Sequence, residues 1–156
     1  MDTATIIATA QQLLFWIVIF GVCFGYGVVR SSRALVGLIL SLYIAFLVFT
    51  LFPYQSYIEN ASSAITLFAV LLVISIYILG KVIRRDEDES AFENFGKKVI
   101  FALLASALLV AYSYHVVPVT EFITPGSFIH TLFAPAENFF WWMIAPLVGL
   151  MFFGGE

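Results

Sequence analysis

Charge is what this sequence has least of. Asp, Glu, Lys and Arg make up 11% of its 156 residues, against about 25% in soluble domains. Hydrophobic residues make up 62%, against about 45–50%. A soluble fold of this length must cover itself with polar side chains, and there are too few here, so lipid is the expected solvent. Cysteine occurs once, at Cys23 within an apolar run, which excludes an intrachain disulfide. The net charge of −3 is too small to point to nucleic acid, and no nucleic-acid partner is expected. Catalytic signatures are missing: there is no GxSxG, HExxH, P-loop or CxxC. The sequence therefore reads as non-enzymatic, with no cofactor and no metal.

What is present is a series of apolar stretches within a single membrane domain, 1–156. They cover about 13–29, 34–52, 64–80, 99–117 and a shorter 136–153. A helix rises about 1.5 Å per residue, so about 20 residues cross a core of about 30 Å. Backbone groups in lipid must bond within the segment or close a barrel. These stretches lack the alternating polarity of barrel strands. The expected fold is all-α and polytopic, with four spans and a short fifth. The first stretch is expected to be a retained span, because Asp2 is the only charge before Arg30 and no basic n-region precedes it.

None of the first four spans carries Asp, Glu, Lys or Arg in its core. Ion-coupled transporters place such groups at depth, so their absence argues against ion-coupled transport by a single copy. The basic residues are Arg30, Arg33, Lys81, Arg84, Arg85, Lys97 and Lys98. Two lie between spans one and two and five between spans three and four, on the same side of the bilayer. The positive-inside rule makes them cytoplasmic anchors and puts the N-terminus outside. The expected home is a bacterial or archaeal cytoplasmic membrane. Arg30 and Arg33 flank a tight turn; they read as topology anchors, with contact to anionic headgroups as the alternative. After the acidic run 86–89, Ser90 and Glu93 match a capping box, so the fourth helix is expected to start near Ala91.

The outer segment 118–138 carries Pro118, Thr124-Pro125-Gly126 and Pro135. Ser127 is placed to cap a short helix over 128–133, and Pro135 suits the first turn of the last helix. Phe139, Phe140, Trp141 and Trp142 form an aromatic belt. Pro146 then predicts a kink. That last helix either spans or lies on the outer surface. His115 and His130 are the only histidines; with Glu121 and Glu137 they lack helical metal-ligand spacing and read as scattered polar residues.

Small residues recur at one-turn spacing: Gly21 and Gly25, Ser41 and Ala45, Ala102 and Ser106. Such steps let helices approach closely. They predict either packing within the chain, with Gly21 and Gly25 against span two, or an interface with other membrane subunits or a second copy. The functional expectation is a scaffold or accessory subunit of a membrane complex; the alternative is an oligomeric channel or small transporter. Membrane lipids are the other expected partner.

The run Gly21-x-x-x-Gly25-Tyr26-Gly27-x-x-Arg30, followed by Arg33 and a long apolar span, resembles the start of the colicin V production protein family. The specific part covers about a fifth of the chain. The later outline, a second hairpin and an outer segment with Ser127-Phe128-Ile129-His130, is similar too. Gln11-Gln12 stands where the family often has an acidic residue, and Arg30-Ser31 where Arg-Gly is typical. The resemblance implies a small bacterial inner-membrane protein linked to toxin export or envelope homeostasis, with no catalytic site to carry over.

Overall fold

A computed structural model describes residues 3–53, 60–83, 94–115 and 128–153. Helix is the only regular structure among them, in the order α1 (Thr3–Arg30), α2 (Ser32–Thr50), α3 (Ala61–Val82), α4 (Phe95–His115), α5 (Phe128–Phe133) and α6 (Ala136–Phe153). All but α5 are long and apolar enough to cross a membrane. The chain is an all-α polytopic protein. Helix α1 departs most from the apolar stretch that predicts it, starting at Thr3 rather than near 13. Gln11, Gln12 and the threonines suit a helix but not a lipid core, so the helix outruns its apolar part. Its 28 residues reach about 42 Å, beyond a hydrocarbon core of about 30 Å.

Only Ser31 separates α1 from α2. It is the N-cap of α2, and its Oγ accepts from the Ala34 amide at 3.2 Å, which satisfies one of the amides a helix start leaves open. So short a reversal brings the two helices together at Gly27. A Cβ there would run into the side chain of Leu35, which is fully buried.

Helix α4 is the centre of the bundle. It packs against α1, α2 and α6, while α3 leans mainly on α2. Its span is 56% buried, against 11% for that of α1 and 6% for that of α6. The cause is composition: Ala102, Ala105, Ser106, Ala107 and Ala111 give α4 little side-chain bulk, so three neighbours approach its backbone. Helix α4 is described from Phe95. Asn94, just before it, holds a left-handed φ of 53°. Residues 90–93 of the box lie outside the described residues, as does Ser127.

Helix α6 runs antiparallel to α4. Near its start Phe139 meets Tyr112 and His115, with ring centroids 6.3 and 4.4 Å apart, and further on Gly149 faces Leu104. The segment therefore lies along the depth of the bundle and not flat across its end. Pro135 precedes the helix, its carbonyl accepting from Asn138 and Phe139 at 3.0 and 3.2 Å. Helix α6 continues on both sides of Pro146. Pro146 has no N–H to offer one turn back, and beside this gap Tyr43 of α2 donates its hydroxyl to the Met143 carbonyl.

The turn sets an expectation. Gly27→Ala should destabilise the folded protein by about 1–3 kcal/mol, the usual scale of overpacking. Gly25→Ala, where an added Cβ meets nothing within 4 Å, should not. Unfolding in mixed detergent micelles, followed by circular dichroism, measures both.

Candidate functional site

The small residues of α2 and α4 form the bundle's interior. Ser41, Ala45, Ala102 and Ser106 are all 0% exposed. Gly21 and Gly25 do not join them: a Cβ on either would have nothing within 4 Å. The predicted packing of these glycines against α2 is therefore not what the structure has. Cys23 and Gly27 are the buried small residues of α1. Gly21 and Gly25 each precede one of these by two positions, about 200° round the helix, and so face away from the core. The sequence held this signal, since Cys23-x-x-x-Gly27 is also a small-residue step.

Three serine hydroxyls of α2 and α4 are each bonded to their own helix. Ser41 Oγ donates to the Gly37 carbonyl at 2.7 Å, Ser106 to Leu103 at 2.9 Å and Ser113 to Leu109 at 2.9 Å. Such back-bonding satisfies a hydroxyl without water or a neighbouring helix. Between α2, α3, α4 and α6 sits an aromatic group centred on Tyr112, which stacks on Phe46 at 4.8 Å and meets Phe68 edge-on at 5.9 Å. Its hydroxyl is buried and has no partner among the described residues.

At the end of the bundle away from the basic turn, α5 is docked by its carbonyl groups. A helix of six residues leaves most of its C=O groups without internal partners. His115 Nε2 donates to the Phe133 carbonyl at 2.8 Å. Asn138 Nδ2 and Trp142 Nε1 both donate to that of Leu132, at 3.0 and 3.3 Å. Phe133 stacks on Trp142 at 4.5 Å. His115 and two members of the aromatic belt, Phe139 and Trp142, thus act in this dock. Among the described residues no three His, Cys, Asp or Glu side chains gather as a metal site.

At the basic end Arg30 and Arg33 are exposed, as is Lys81, whose Nζ lies 4.6 Å from the Tyr77 ring centroid. Arg84 and Arg85 lie outside the described residues. Lys97 is half-buried. Lys98 departs from the expected role of headgroup anchor, being 0% exposed. It shares a helical face with Ala102 and Ala105, three to four residues apart, and that face turns inward. Where α1 ends, α2 begins and α3 ends there is a cleft of about 60 Å³, lined among others by Tyr26, Arg30, Ser31, Arg33, Gly80 and Ile83.

No family model, curated protein or solved structure matches the chain.

Replacing His115 by Phe keeps the ring against Phe139 but removes the donor to Phe133. The lost bond should cost about 0.5–1.5 kcal/mol and speed amide hydrogen exchange in 128–133 at least several-fold, with α2 and α4 unchanged.

Proposed function

We propose that the protein is a non-enzymatic integral membrane scaffold or accessory subunit, held in a larger membrane complex by helix contacts. The observation that carries this reading is the close-packed interior. Ser41, Ser106 and Ser113 are bonded to their own helices, and small residues fill the space between α2 and α4, which supports a packed interior and not a polar path among the described residues. A chain that neither conducts nor catalyses contributes its surfaces. The second support is α1, whose span is 11% buried and which presents Gly21 and Gly25 away from the core.

The membrane we assign is a bacterial or archaeal cytoplasmic membrane, with the basic end in the cytoplasm and the start of α1 outside. The grouping of all seven basic residues, in sequence, around the α1–α2 and α3–α4 connections supports this orientation. The resemblance of the first hairpin to the colicin V production family supports a role in export or envelope homeostasis.

Two measurements test the reading. Extraction in mild detergent followed by native mass determination should give a discrete assembly with other subunits. Gly21→Leu with Gly25→Leu should dissolve that assembly while the isolated chain stays folded; an assembly that survives removes α1 from the interface. Separately, Ser106→Cys in native membranes should resist a water-soluble maleimide. Labelling there would mean a hydrated interior and would favour an oligomeric channel or small transporter.

A further inference from the structure

Tyr112 is 1% exposed, and its ring is enclosed by Phe46 of α2, Phe68 of α3 and Phe139 of α6, with centroids 4.8, 5.9 and 6.3 Å away. Its hydroxyl has no hydrogen-bond partner among the described residues. A buried hydroxyl left in that state works against folding. Helix α6 holds an acceptor with the matching need. Pro146 has no N–H, so the Trp142 carbonyl loses the donor that a continuous helix would give it. Pro146 is buried, so this break faces the bundle and not lipid. In hydrocarbon, a carbonyl freed by proline is met by a neighbouring helix or by an ordered water. Tyr43 of α2 is at hand, but its single hydrogen is used on the next carbonyl, that of Met143.

The helices bring these groups to one level. Tyr43 lies one turn from Phe46, and Met143 one turn from Phe139, in each case towards the basic end. Helical side chains lean towards the start of their own helix, and α4 starts at the basic end. The Tyr112 hydroxyl is thus carried past the rings it touches, towards Tyr43 and the break in α6. The two tyrosines are close enough to interact electrostatically.

We propose that a single water molecule is bound between α2, α4 and α6 at the Pro146 break. The Tyr112 hydroxyl donates to its oxygen. Its two hydrogens go to the Trp142 carbonyl and to a lone pair of Tyr43 Oη, whose own hydrogen stays on the Met143 carbonyl. Each group then has the partner that its chemistry asks for, and about three bonds is usual for a buried water. The proposal goes beyond the scaffold reading and does not depend on it, because one enclosed molecule is not a path for ions or solutes.

The test is water-edited solid-state NMR on the full chain in liposomes, with the ζ carbons of tyrosine and phenylalanine labelled with carbon-13. Magnetisation from water should reach Tyr112 several-fold faster than Phe101, whose ring is 2% exposed and carries no hydroxyl. Build-up at Tyr112 as slow as at Phe101 overturns the proposal, and this readout needs no variant to fold. The Tyr112 signal is assigned by its loss in Tyr112→Phe. Pro146→Ala restores an N–H to the Trp142 carbonyl and so removes one of the water's acceptors. Transfer to Tyr112 should then slow towards the Phe101 rate; a folded Pro146→Ala variant with unchanged transfer overturns the placement at the break. Tyr112→Phe should lower the thermal midpoint, because it removes a bonded hydroxyl. A midpoint that stays or rises, as loss of an unpartnered hydroxyl would give, overturns the proposal.

Discussion

Everything in this bundle depends on how closely other helices can come to the backbone of α4. In lipid there is little hydrophobic drive to bring helices together, since hydrocarbon tails are as apolar as Leu. Attraction comes from van der Waals contact, which needs short distances. The alanines and Ser106 on α4 supply those distances on several sides at once. That is why α1, α2 and α6 all rest on it and why its span is the most buried. Large side chains such as Leu108 and Tyr112 then fill the gaps the small ones leave, and both are almost fully buried.

A second constraint is the supply of hydrogen bonds where water is absent. An unsatisfied backbone group costs several kcal/mol in hydrocarbon. The helices meet this internally along their length and with side chains at the breaks. Ser31 serves the start of α2, His115, Asn138 and Trp142 serve the end of α5, and Tyr43 reaches α6 beside Pro146. These polar groups sit at gaps in the helical bonding. Ser41, Ser106 and Ser113, inside helices, bond to their own backbone.

The spans were legible in the sequence because length and apolarity are local properties. The short helix 128–133 and the apolar helix 136–153 were legible for the same reason. The facing of helices was legible only in part. Ser41, Ala45, Ala102 and Ser106 lie in the interior, but Gly21 and Gly25 do not. A small-residue step states that a face can approach a neighbour; it does not say which of two such faces on one helix will. On α1 the choice fell to Cys23 and Gly27, because a one-residue turn forces contact near residue 27. A lysine near a span end is ordinarily an anchor, yet Lys98 is buried. Its spacing from Ala102 and Ala105 placed it on the inward face, and periodicity outweighed residue type. The cleft was not legible, since it is made by three helix ends that meet only in the folded chain.

The central position of α4 also bears on how the protein is made. Spans leave the ribosome in order, so α1, α2 and α3 are threaded into the bilayer before the helix that two of them pack against. During that interval α2 and α3 can pair, and α1 can close on α2 through its one-residue turn, but the alanine surface they need has yet to be synthesised. Helix α6, which rests on α4, comes last. Biogenesis of this chain is therefore a two-stage affair in which early spans wait in lipid and the tertiary fold sets only after the fourth arrives. A translation product that stops before residue 95 would present unfinished helix faces to the insertion machinery and to membrane proteases.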